Sequence, residues 1–232
     1  MTAATTNPGP YIAVNGIRAT KGSLTIPYYG AWVADLTLAT PDTLQTKATV
    51  AIGSLSLSGT NLRTAPYAGA RTARTVAGAG GWRQMLSARS YQFSGGVKLS
   101  TVLGDAAVEL GEQIKIANDA VLGQAWTRPA QLGRDLLSAL ADPLWWIDNA
   151  GVTQVASARP APTITSAFQV LEQEPGLGLY EVSTEVLQDW VPGALFSSPT
   201  IVGTPAISSV TFEVDNDGMM RLRVLAQGAT VQ

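Results

Sequence analysis

The sequence predicts a mostly β protein with an α+β insert, in which β-barrel-like domains flank a small helix-helix-hairpin domain. Three observations carry that prediction. With 23 Gly and 13 Pro in 232 residues and only 14% charged side chains, the composition favours short strands joined by turns over a helical bundle. Apolar residues recur every second position in the first and last parts of the chain and at helical spacing between them. Two copies of the pattern Asp-Asn-x-Gly, at 148–151 and 215–218, mark tight hairpins. The expected units are an N-terminal β domain over 1–96, an α+β insert over 97–162, and a C-terminal β domain over 163–232 that completes or pairs with the first barrel.

From Tyr11 to about Phe93, the runs YIAVNGI, SLTIPYY, ADLTLAT and KATVAIGSLSLSG read as strands punctuated by Gly, Pro and Asn. In the last run Val50 and Ile52, then Leu55 and Leu57, alternate with small residues. The phase slips by one at Gly53-Ser54, as it would at a β-bulge. Leu99, Leu103, Ala106, Leu110 and Ile114 follow at helical spacing, with Ser100 or Thr101 as the expected cap and Gly111 as the stop. A second helix is expected in TRPAQLGRDLLSALAD, capped by Thr127, with Pro129 in its first turn and Leu132, Leu136 and Leu140 as its stripe. Pro143 ends it.

A three-residue loop with a left-handed Gly fits both Asp-Asn-x-Gly turns. It pairs Val214 with Met220, Phe212 with Leu222 and Val210 with Val224 on one face, and Glu213 with Arg221 and Thr211 with Arg223 on the other. Each face is then chemically consistent. The same loop at 148–151 sets Trp145 opposite Val155, Ile147 opposite Thr153 and Trp146 opposite Gln154. Trp145 is expected in the core, above the leucine stripe. Trp146 faces the other way, to pack on a neighbouring domain or subunit or to serve as a stacking platform; burying an indole is worth roughly several kcal/mol, which favours packing.

The chain has no Cys and no His, which excludes disulfides, thiolate chemistry, most hydrolase triads and most zinc sites. No cofactor, metal or catalytic residue is expected. A carboxylate pair among Glu172, Glu174, Glu181, Glu185 and Asp189 is a pattern any acidic β surface would show. Asp215-Asn216-Asp217-Gly218 lacks the distal Glu of a calcium loop. Gly78-Ala79-Gly80-Gly81 is followed not by Lys-Ser/Thr but by Trp82-Arg83-Gln84, which reads as a strand, so a phosphate loop is not expected. The start MTAATTNPGP lacks the basic and apolar regions of a secretory signal. The uncharged run Trp190 to Phe212 is long enough for a bilayer, but Pro192, Pro199, Pro205, Gly193 and Gly203 break it, so no membrane span is expected.

The net charge of −2 hides an asymmetry: residues 1–100 carry nine Lys/Arg against Asp35 and Asp42, while residues 101–232 carry six against fifteen acids. Opposite fields of this kind bring two parts of a chain, or two subunits, together. Arg63, Arg71, Arg74, Arg83 and Arg89 fall between Asn61 and Tyr91 with no acid among them, in a long loop or β excursion. Few aromatics are interleaved and the protein is acidic overall, so contact with protein is expected in preference to nucleic acid. The candidate subunit or partner interface is Arg63, Arg71, Arg74, Arg83, Trp82 and Trp146.

The succession of WRQMLSARSYQFSGGVKLSTVLGDAAVELGE, TRPAQLGRDLLSALAD, LWWIDNAGVTQVASARP and a closing Gly-rich β region resembles the hub proteins of bacteriophage tails. These are related to the tail hubs of contractile phages and to the hub part of the type VI secretion spike. The resemblance covers about residues 80 to 232. It implies a structural virion protein of the tail or baseplate, assembled in the host cytoplasm as a homotrimer whose barrels form a ring continuing the tail tube. Tail-tube, distal tail and spike or fibre proteins are the implied partners, and DNA only passes through the lumen. Arg63 to Arg89 should then point away from the lumen, because arginines lining it would hold phosphate. No catalytic motif defines the family, and the chain has no lysozyme-like segment. The alternative is a carbohydrate- or receptor-binding module of a tail tip using Trp146, Trp190 or Trp82.

Overall fold

The computed structural model describes residues 11–141, 144–174, 176–201, 203–216 and 219–227. Strands β1 (Ile12–Val14) and β2 (Ile17–Pro27) form a hairpin across Asn15-Gly16, whose φ angles of 51° and 81° are those of the tight turn that Asn-Gly favours. With β3 (Val33–Leu38), β4 (Lys47–Ile52), β5 (Leu55–Tyr67) and β6 (Ala70–Ala77) they run in the order β1-β4-β5-β6-β3-β2. Because β1 also pairs with β2, these strands close into a six-stranded barrel.

Alternation fills the barrel. In β4, Ala48, Val50 and Ile52 are buried while Lys47 and Thr49 face solvent. Trp32 is the bulkiest filler, and Gly59 makes room for it: a Cβ there would lie 2.5 Å from the indole ring. The expected bulge at Gly53-Ser54 is instead a hairpin turn, with Ile52 opposite Leu55 and Val50 opposite Leu57. A two-residue turn and a bulge shift the alternation by the same single residue, so only the cross-strand pairing distinguishes them.

The insert continues through β7 (Met85–Leu86), β8 (Arg89–Lys98), α1 (Leu99–Leu110), β9 (Ile114–Ile116), β10 (Val121–Arg128), β11 (Gln131–Leu132), α2 (Gly133–Ala141), β12 (Trp145–Ile147) and β13 (Thr153–Val155). Helix α1 buries Leu99, Leu103, Ala106 and Leu110 and ends at left-handed Gly111, as expected. Ile114 is not on it but in β9. Neither Ser100 nor Thr101 is the cap. Lys98 holds that position, and Asp119 accepts from the Ser100 N–H and hydroxyl, both at 2.8 Å. A residue that caps from a later loop leaves no local signature.

The second helix starts later than expected. Thr127 belongs to β10, paired with Ser90 of β8, and Leu132 to β11, paired with Met85 of β7; the helix begins at Gly133. Pairing with β7 and β8 outweighs the local preference of Thr-x-Pro for a helix start, since tertiary contacts override propensities of a few tenths of a kcal/mol, roughly. Leu136 and Leu137 are fully buried, and Pro143 lies outside the described residues.

The hairpin of β12 and β13 has the expected register, with Trp145 opposite Val155, Trp146 opposite Gln154 and Ile147 opposite Thr153. Gly151 is left-handed, and Asp148 accepts the N–H groups of Ala150 and Val152. Trp145 is half-buried rather than central. It sits against Gly30, where backbone bonds from Gly30 to Trp145 (2.8 Å) and from Ile147 to Gly30 (3.3 Å) fasten the insert to the barrel.

The chain closes with β14 (Phe168–Glu174), β15 (Leu179–Thr184), β16 (Ala206–Val214) and β17 (Met220–Gln227). Strand β16 pairs with β2 from Gly22 to Pro27, so the last strands extend the barrel's own sheet in the order β2-β16-β17-β15-β14. The β16–β17 register matches the sequence reading at Val214–Met220, Phe212–Leu222, Val210–Val224, Glu213–Arg221 and Thr211–Arg223; Gly218 itself lies outside the described residues. Under these strands Phe168, Trp190, Phe196 and Tyr180 pack edge to face or tilted, with ring centroids 5.0–6.3 Å apart. Among the described residues no helix is long and apolar enough to cross a membrane.

Candidate partner interface

The glycine-rich turn after β6 organises the seam between barrel and insert. Gly78 and Gly80 are left-handed, at φ 65° and 76°, and this alternation converges successive backbone N–H groups into an anion-binding concavity. The chain's own Glu112 fills it, accepting from the Ala79 N–H at 3.1 Å and the Gly81 N–H at 2.6 Å. A Cβ on Gly78 would stand 2.8 Å from that carboxylate, so glycine is what admits it. Burial pushes the Glu112 carboxyl above its ordinary pKa, and the backbone N–H groups partly offset this.

Trp82-Arg83-Gln84 is not the expected strand. Gly81–Arg83 is a single 3-10 turn, because the N–H groups a strand would pair sideways are gathered onto Glu112. The turn buries Trp82, whose Nε1 donates to the Thr153 hydroxyl at 2.8 Å. Nearby, fully buried Arg128 binds Glu109 and donates from Nε to the Ser87 carbonyl at 3.1 Å, while the Ser87 N–H donates to Glu109 at 2.7 Å. That N–H bond holds the Glu109 carboxyl below its usual range against a smaller opposing effect of burial, and Arg128 adds to the lowering.

A cavity of about 280 Å³ opens at the seam. The barrel contributes Ala31, Val33, Val76 and Ala77 to its walls, and the insert contributes Trp82, Trp145 and Ile147. Arg74, Arg83 and Arg134, all exposed, also line it. Of the predicted interface residues, Arg74, Arg83 and Trp82 therefore share one site, Trp82 as buried wall.

The others lie elsewhere. Arg63, Arg71 and Arg74 sit on the β5–β6 hairpin, the β excursion the sequence allowed. Arg63 is opposite Arg74 across the ladder, beside a shallow groove of about 290 Å³ that also contains Asp35. Arg71 donates from Nε and Nη2 to the Pro41 carbonyl at 3.2 and 2.7 Å. Arg74 meets Asp35 at 3.5 Å and Arg89 meets Asp105 at 3.1 Å, so acids absent from the arginine stretch itself approach it from β3 and α1. Trp146 donates to the Ser157 carbonyl at 3.0 Å, and the Arg159 guanidinium stands 4.5 Å over its ring. Desolvation lowers the Arg159 pKa to about 10. Trp190 is fully buried, which leaves its ring closed to a sugar, and Trp82 is 4% exposed, where it lines the seam cavity. Sequence reasoning missed Glu112, Arg134 and Arg159; only Glu112, directly after the helix-stopping Gly111, stands beside a recognisable signal.

No family model matches the chain, and no curated protein matches it by sequence. Solved structures do match. The 43 kDa tail protein of prophage MuSo2 from Shewanella oneidensis has a TM-score of 0.62 at 12% identity, over 97% of this chain and 100% of that one. A tail protein from Neisseria meningitidis MC58 has a TM-score of 0.64 at 12% identity, over 95% and 98%. The chain has the fold of phage tail proteins. The E. coli c3393 protein, a type VI secretion component structurally similar to the T4 tail proteins gp27 and gp5, shares the fold too, with a TM-score of 0.64 at 10% identity over 93% of this chain and 76% of that one. At these identities the fold is what is shared.

Proposed function

We propose that this chain is a structural component of a phage tail: a trimeric hub at the distal end of the tail tube, joining the tube to tip and spike or fibre proteins. The likeness of fold to tail proteins over nearly the whole chain carries the reading. The role needs no catalytic chemistry, and it fits a chain without Cys or His. In the assembled ring, Arg63, Arg71 and Arg74 on the β5–β6 hairpin face a neighbouring protein, and the lumen through which DNA passes is acidic or neutral. The protein is then found in the virion tail.

The mass of the chain in solution, alone and mixed with tail-tube protein, tests the reading. A trimer, or a complex with tube protein, is expected; a strict monomer under both conditions refutes it. Reversing Arg71 and Arg74 to Glu should weaken assembly while leaving the isolated fold intact, and raised salt should have the same effect. A ring structure with Arg71, Arg74 and Arg83 lining an open pore would overturn the lumen assignment.

A further inference from the structure

The seam cavity is built like a socket. Its indole and aliphatic walls are apolar, three exposed arginines line it, and the one carboxylate in its lining among the described residues, Glu112, accepts from the Ala79 and Gly81 N–H groups. Arg74 and Arg134 have only exposed acids at 3.5 Å, Asp35 and Asp135, and Arg83 has no carboxylate partner among the described residues. Such a site suits an apolar side chain flanked by carboxylates.

The opposite end of the ten-stranded sheet carries that chemistry. Strand β14 is its last strand, and among the described residues one of its edges is unpaired. Leu171 is 57% exposed on it, and Leu177, in the turn to β15, is 68% exposed. Glu172 and Glu174 are exposed between them, and the Leu177 N–H donates to the Glu174 carbonyl at 3.0 Å, which holds the leucine beside that glutamate. An open strand edge beside an exposed leucine flanked by glutamates offers another chain backbone pairing, an apolar contact and negative charge.

We propose that the seam cavity receives the β14–β15 turn of a second copy of this chain, with Leu177 entering between Trp82 and Trp145 and Glu174 meeting Arg83. The inference rests on the reading that the chain works as an oligomer, and it names the two surfaces that meet. A chain does not fill its own socket: neither Leu177 nor Glu174 is among the residues that line the cavity, and β14 stands six strand spacings from β6 along the sheet. The contact is therefore head to tail, the kind that closes into a ring when the rotation between copies allows. It also uses part of the charge asymmetry along the chain, since Arg74 and Arg83 come from the basic first 100 residues and Glu172 and Glu174 from the acidic remainder, while Arg134 of the socket comes from the latter.

Charge reversal tests it. Arg83→Glu and Glu174→Arg should each weaken self-association, measured by sedimentation, roughly tenfold or more. Both side chains are exposed, so circular dichroism should report an unchanged fold. Combining the two reversals in one chain should restore association. Because the chain has no cysteine, Arg83→Cys with Leu177→Cys should also give disulfide-linked oligomers under oxidation. If the wild type associates and the single reversals associate equally well, this interface is wrong and the hub reading stands. If Arg83→Glu abolishes binding to tube protein but not self-association, the socket belongs to that partner and the proposal falls. A wild type that remains monomeric, alone and with tube protein, overturns both.

Discussion

Replacing Glu112 by Ala removes the acceptor from the glycine turn and tests whether an internal carboxylate holds the seam. Glu112 is 7% exposed, and its bond to the buried Gly81 N–H is 2.6 Å long. A buried donor left without a partner costs about 1–3 kcal/mol. The Ala79 N–H, on an exposed residue, can turn to water and adds less. Together with the space left by the side chain, the expected loss is about 2–4 kcal/mol, or roughly 5–15 °C in melting temperature for a chain of this size. Glu112→Gln keeps one acceptor oxygen and should lose less. The pH dependence separates charge from shape. The folded pKa is raised, so the carboxyl's contribution is fully present below the ordinary Glu value of about 4.3 and is lost as pH rises through the folded value. The stability of wild type relative to Glu112→Gln should therefore grow as pH falls from 7 toward 4. Thermal melts of the three proteins across that range provide the assay. An Ala variant that melts with wild type at pH 7 would show that Glu112 does not hold the turn.

Three further outcomes are expected. Trp82→Phe should cost about 1–3 kcal/mol in chemical denaturation, because the buried Thr153 hydroxyl loses its donor; an unchanged midpoint would count against that bond. Gly59→Ala should destabilise by about 1–3 kcal/mol or more, since the new Cβ meets the Trp32 ring, and the fluorescence of the core indole should shift with it; a fully native spectrum and stability would refute the packing described. For Glu109 the sign is opposite to that of Glu112: its folded pKa is lowered, so its contribution is present above the ordinary Glu value and lost as pH falls through the folded one. The stability advantage of wild type over Glu109→Gln should accordingly be largest near neutrality and shrink in acid, and a gap that widened in acid would reverse the assignment.

The sequence by itself determined what is local. A hairpin's register follows from the length of its loop and the two-residue period of its faces, so the pairings of Trp145 with Val155 and of Phe212 with Leu222 could be read without coordinates. Gly111 ends a helix for a reason contained in its own backbone, and the dominance of strands follows from Gly, Pro and alternating apolar residues. The tertiary structure decided what depends on residues far apart in the chain. Whether Gly53-Ser54 is a bulge or a turn depends on what Val50 faces, and the start of the second helix depends on β7 and β8 claiming the residues before it. The cap of α1 comes from Asp119, the filling of the glycine turn from Glu112, and the union of first and last strands from β16 pairing with β2. The seam cavity is the extreme case, since Ala31, Arg74, Trp82, Arg134 and Trp145 reach one place from five separate segments. Turn geometry and alternation act within a few residues and so leave a pattern in the sequence, whereas contacts made by chain closure are specified by packing and hydrogen bonding in three dimensions.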